Sequence, residues 1–202
     1  MKEKNYEREL PAGYSEVLHI NAKDAKLGII LNVIALAVMA IVMVLAVIPM
    51  GIFNDAVPEW SEDSTFTKLL IGFAGMYAYI ILHELVHGIA YRTLTGERLT
   101  FGISWSCAFC GVPGIYTYRR TALISVAAPL TVFTLIFIPL TVVLFFLDPV
   151  YYLISAAIFG MHLGGCSGDM YVIYLFMTKF KSKRALMRDT GPEQFFYLPE
   201  EN

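Results

Sequence analysis

Four long apolar runs, separated by short polar segments, set the organisation of this chain. They cover about 27–53, 66–94, 121–147 and 150–177. Each exceeds the roughly 20 residues that an α-helix needs to cross a hydrocarbon layer. The first has Asn32 as its only strongly polar side chain and reads as an anchor. Residues 1–26 are polar and mixed in charge, with one short helix or strand expected around Ser15–Ile20. That segment is too long and mixed for the start of a signal peptide, so the first apolar run is expected to be kept as a transmembrane helix. An acidic loop without Lys or Arg follows at 54–65, Asp148-Pro149 marks a tight turn, and the tail from Lys179 onward is polar.

In the Gly-rich connection at 99–118, Phe101, Ile103 and Trp105 alternate with small or polar residues. Ile115, Tyr116 and Tyr118 follow Gly111-Val112-Pro113-Gly114, so a short β-hairpin turning at those four residues is expected. Its free edge could hold an extended peptide by main-chain hydrogen bonds; the alternative is an aromatic interfacial loop. The fold class that follows is an all-α integral membrane protein. It has four transmembrane helices, this possible hairpin, and one domain over 1–202.

Composition agrees with the pattern. The chain has 202 residues, 57% of them hydrophobic and only 16% charged, where soluble domains carry roughly a quarter charged residues. A net charge of −2 gives no reason to invoke nucleic acid; the expected partners are the lipid bilayer and a membrane protein. With four crossings and a cytoplasmic amino terminus, every Lys and Arg except Lys68 falls on the cytoplasmic side, as the positive-inside rule demands. Cys107, Cys110 and Cys166 fit no disulfide framework and read as reduced thiols; Cys107-x-x-Cys110 lacks the second pair of a separate zinc site.

The second run carries His83-Glu84-Leu85-Val86-His87. Residues four apart share a helix face, so His83 and His87 can direct two imidazole nitrogens at one metal ion. Glu84, turned about 100° from His83, lies beside that ion as a general base for a water molecule. Two histidines and a glutamate can share a helix by accident, but three ionisable groups in an apolar segment point to function.

A catalytic zinc takes a third protein ligand. The fourth run offers His162, Cys166 and Asp169. With a rise of about 1.5 Å per residue, His83 and His87 lie roughly 15 and 9 Å from the cytoplasmic end, Asp169 roughly 13 Å and His162 roughly 24 Å. Depth favours Asp169, unless it pairs instead with a basic residue. His162 fits a buried polar group or water relay, though a break at Gly164-Gly165 could bring it level, and Cys166 fits a small buried residue. Gly160, Gly164 and Gly168 recur every four residues, a spacing that lets helices approach closely. Packing of this stripe on the second run would carry Asp169 to the histidines.

His83-Glu84-Leu85-Val86-His87-Gly88, Ala128-Pro129-Leu130, His162-Leu163-Gly164-Gly165 and Gly168-Asp169 together resemble the site-2-protease-like membrane zincins. The likeness is closer still to a bacterial and archaeal group of zincin peptidases once listed as a domain of unknown function, and it covers roughly 66–178. It implies His83, His87 and Asp169 as zinc ligands and Glu84 as catalytic base of an intramembrane metallopeptidase in a prokaryotic cell membrane, with its active site toward the cytoplasm. The Asn-x-x-Pro-x-Pro motif that site-2 proteases carry beside the third ligand is missing here. Ser104, Ser106, Tyr116, His162, Ser167 or a backbone amide would then polarise the substrate carbonyl, His162 and Ser167 being the second-rank site candidates. The alternative function is a non-proteolytic zinc-binding membrane scaffold or chaperone.

Overall fold

The computed structural model describes residues 4–53, 55, 57, 58, 64–103 and 108–200. In chain order the elements are β1 (Tyr6–Glu7), β2 (Tyr14–Asn21), α1 (Ala25–Ile52), α2 (Thr65–Thr95), β3 (Thr100–Ile103), β4 (Ala108–Gly111), β5 (Tyr116–Tyr118), α3 (Arg119–Leu147), α4 (Pro149–Gly165), α5 (Ser167–Thr178), β6 (Leu186–Asp189) and β7 (Glu193–Pro199). Three helices, α1, α2 and α3, are long and apolar enough to cross a membrane, and a fourth span results if α4 and α5 count as one.

Three expectations change. The chain is mostly helical but not all-α: five strands form an antiparallel sheet in the order β1-β5-β6-β7-β2, and β3 pairs with β4. The hairpin at 99–118 exists with different strands. Thr100 faces Gly111 and Ile103 faces Ala108, while 116–118 leaves to join the larger sheet between β1 and β6. The Val112-to-Ile115 turn thus hands the chain from one sheet to the other instead of closing the hairpin. The fourth apolar run is also interrupted, α4 ending at Gly165 and α5 starting at Ser167.

The described chain divides into two compact units. One comprises Met1–Ile29, Leu82–Pro129 and Gly168–Asn202. Its core joins Ala122 and Val126 of α3, Val172, Leu175 and Phe176 of α5, and Met187 and Phe196 of the sheet. A second cluster, Tyr91, Val112 and Ile115, ties α2 to the segment after β4. Gly111 is required there: a Cβ on it would lie 2.2 Å from the Gly191 nitrogen, backbone against backbone.

The other unit comprises Ile30–Ile81 and Leu130–Ser167. Here the glycine stripe packs differently from expectation, against α1 and not α2. A Cβ on Gly164 would lie 2.6 Å from the Ala35 carbonyl oxygen, one on Gly160 would meet Met39, and Gly168 has nothing within 4 Å. On α2 it is Gly72 that makes room for α4, receiving Ile154. Asp148 caps α4 by accepting from the Val150 and Tyr151 N–H groups and pairs with Lys68.

Candidate metal centre

Helical spacing of four puts the His83 and His87 rings on one face of α2, their centroids 5.0 Å apart and edge to face. Both residues are buried. Asp169 stands in the first turn of α5 because the helix restarts at Ser167; a carboxylate is favoured at a helix start, where N–H groups lack partners. Its Oδ2 lies 3.3 Å from His83 Nε2 and 3.4 Å from His87 Nε2.

Hydrogen-bond chemistry makes this trio unusual. His87 Nδ1 lies 2.8 Å from the Ser125 carbonyl oxygen, which can only accept, so Nδ1 carries the proton. In the neutral ring Nε2 then presents a lone pair, and it faces a carboxylate oxygen, also an acceptor. Asp169 Oδ2 is buried with no hydrogen-bond partner among the described residues. Acceptors so placed call for a cation between them, since a buried polar atom without one costs about 1–3 kcal/mol.

Zinc fits the donor set. With bonds of about 2.0–2.1 Å, tetrahedral donors stand about 3.3–3.4 Å apart, the spacing that Asp169 Oδ2 keeps from both nitrogens. All three donor atoms lie within 4.8 Å of one another. The carbonyl on His87 Nδ1–H is the kind of outer partner that fixes a metal-binding tautomer.

Glu84 is half-buried on the neighbouring face of α2. The Cys110 backbone N–H, on β4, faces its carboxylate. The hairpin can lie this close because Gly88 has no side chain: a Cβ there would sit 2.7 Å from the Phe101 ring.

His162, fully buried in the other unit, has Nδ1 2.9 Å from the Tyr79 hydroxyl and Nε2 3.1 Å from the Thr134 hydroxyl, among Phe133, Phe137 and Phe159. Ser167 is half-buried at the start of α5, two residues before Asp169. Tyr116 belongs to the large sheet, edge to face with Tyr197. Ser104, Ser106 and Cys107 lie outside the described residues. Cys110 and Cys166 are buried thiols outside any disulfide among the described residues, and burial, with the Asp189 and Glu84 charges near it, pushes the Cys110 thiol up to about 12.

Sequence reasoning did not foresee the Ser125 carbonyl, the Cys110 amide, or a buried pair one turn beyond His87. In that pair Tyr91 donates to Asp189 at 2.7 Å and the Gly191 N–H to the other carboxyl oxygen at 2.9 Å. Burial nevertheless pushes the Asp189 carboxyl up to about 6, against the pull of those donors. Tyr91 had a signal, since it continues the spacing of four from His83 and His87. Asp189, in a polar tail, had none.

Residues 76–183, just over half of the chain, match the model of a family described as "Putative zincin peptidase". No curated protein and no solved structure matches.

Proposed function

We propose, from the premise that the chain belongs to the family described as "Putative zincin peptidase", that it is a zinc-dependent intramembrane metallopeptidase of the site-2-protease-like kind, built as one membrane-embedded domain. Its substrate is a membrane-spanning or membrane-adjacent segment of another protein. The observation that carries this reading is the buried meeting of acceptors, in which the Asp169 oxygen without a hydrogen bond lies 3.3–3.4 Å from both histidine nitrogens.

His83 and His87 through Nε2, and Asp169 through Oδ2, would hold the ion. When bound, zinc supplies a Lewis acid that makes water acidic enough to attack at neutral pH. The Glu84 carboxylate takes a proton from that water as its oxygen adds to the peptide carbonyl. Glu84 then delivers the proton to the amide nitrogen as the C–N bond breaks, giving one new carboxyl and one new amino end. The Cys110 N–H, by facing Glu84, holds the carboxylate beside α2.

Helical peptide bonds are closed to such an attack, so the substrate must unwind. The β3–β4 hairpin beside Gly88 offers an edge for the unwound strand, with Phe101 and Ile103 exposed on β3. The distribution of Lys and Arg supports an orientation with both termini and the metal centre toward the cytoplasm, in a prokaryotic cell membrane.

The test is to reconstitute zinc-loaded protein in liposomes with candidate single-span membrane proteins and to sequence new termini. Wild type should create them and Glu84→Gln should not, while Glu84→Gln retains zinc. Equal cleavage by both would overturn the role of Glu84. Zinc-loaded wild type that supports its cellular function equally well as Glu84→Gln would favour a scaffold over a peptidase.

A further inference from the structure

The hydrogen bond that sets the His87 tautomer has its origin on α3. In an uninterrupted α-helix each carbonyl accepts from the N–H four residues on. For Ser125 that residue is Pro129, which has no N–H. The Ser125 carbonyl is therefore released from the helix ladder by the covalent structure of the chain. It would otherwise be a buried acceptor lacking a partner, since Ser125 is fully buried. His87 Nδ1–H, 2.8 Å away, fills the place that the missing amide leaves.

We infer that Pro129 is a positioning residue for the metal centre. By withdrawing the N–H at 129 it reserves the Ser125 carbonyl for His87, which locks the imidazole as the Nδ1–H tautomer with its Nε2 lone pair toward Asp169. The inference rests on the zinc-peptidase reading for its purpose, and on the Ser125–His87 geometry alone for the hydrogen bond. An ordinary residue at 129 supplies a competing N–H, which draws the carbonyl back along the axis of α3 and loosens the ring.

The test uses full-length protein in detergent, with Pro129→Ala and Pro129→Val to restore the amide. Pro139→Ala serves as control, removing another proline of α3 at an exposed position. Two quantities are read: zinc affinity by competition with a chelator, and the His87 tautomer by 15N spectra of histidine-labelled, zinc-free protein, assigned with His87→Ala. Both Pro129 variants should bind zinc about tenfold more weakly, the low end for loss of an outer partner. They should also turn the single Nδ1–H tautomer of His87 into a mixture, while Pro139→Ala changes neither reading. Wild-type affinity and an unchanged tautomer in the Pro129 variants would overturn the inference, as would an equal loss in Pro139→Ala. Absence of zinc from wild type, together with the tautomer change in the Pro129 variants, would overturn the peptidase reading and leave the hydrogen-bond assignment standing.

Discussion

His87 and His162 are both buried histidines on apolar helices, and their surroundings demand opposite things. His162 meets hydroxyls, from Tyr79 at Nδ1 and Thr134 at Nε2. A hydroxyl donates or accepts as needed, so a neutral ring is satisfied in either tautomer. His87 meets a carbonyl at Nδ1 and a carboxylate oxygen beyond Nε2, which can only accept. The first arrangement is complete as it stands, whereas the second is completed by a cation. Two buried histidines are thus told apart by the chemistry of their neighbours.

The largest effect that would sharpen this contrast is on turnover. Glu84→Gln keeps the three ligands and removes the base, so hydrolysis should fall by about 10²–10⁴-fold with bound zinc unchanged, as read by terminus sequencing and metal analysis. A parallel loss of zinc would mean that Glu84 belongs to the ligand set.

Asp189 extends the comparison to buried carboxyls, because both of its oxygens have donors while Asp169 Oδ2 has none. Its folded pKa of about 6 lies above the usual aspartate value. Its contribution to stability is then fully present below the unfolded pKa and is lost as pH rises through about 6. At about 1.4 kcal/mol per unit this amounts to at most about 3 kcal/mol. Thermal unfolding in detergent should show Asp189→Asn gaining on wild type between pH 4 and 7; a constant difference would contradict the assignment.

Next in size is His162→Leu. It removes the ring that the Tyr79 and Thr134 hydroxyls meet, and should cost about 1–3 kcal/mol in thermal stability with no loss of zinc. The smallest effect has the most telling sign. In zinc-free protein, Asp169→Asn turns an acceptor into a donor facing Nε2, and should raise stability by about 1 kcal/mol while weakening zinc binding. Destabilisation of the zinc-free protein by that change would break the account of facing acceptors.

The helices α1 to α3 were legible because uninterrupted apolar runs admit little else, and their ends moved by only one or two residues. The H-E-x-x-H spacing was legible for the same reason, since one helix carries both histidines, and depth along the fourth run brought Asp169 level with them. The large sheet was not. Its pairings join Tyr6 to Thr117 and Thr117 to Met187, through strands as short as two residues. No local alternation can announce so distant a partner. The turn at 112–115 was read from its Gly and Pro, but composition does not say which sheet receives the chain afterwards. Nor does a glycine stripe name its partner: Gly160 and Gly164, without side chains, admit the α1 backbone at Met39 and Ala35.

The most direct test of the central claim is the zinc content of detergent-purified wild type beside His83→Ala, Asp169→Ala and His162→Ala. About one zinc ion per chain is predicted for wild type and His162→Ala, held by the three protein ligands His83, His87 and Asp169, with loss in His83→Ala and Asp169→Ala. Wild type that neither retains zinc nor takes it up, or a His162→Ala protein as empty as His83→Ala, would contradict the account.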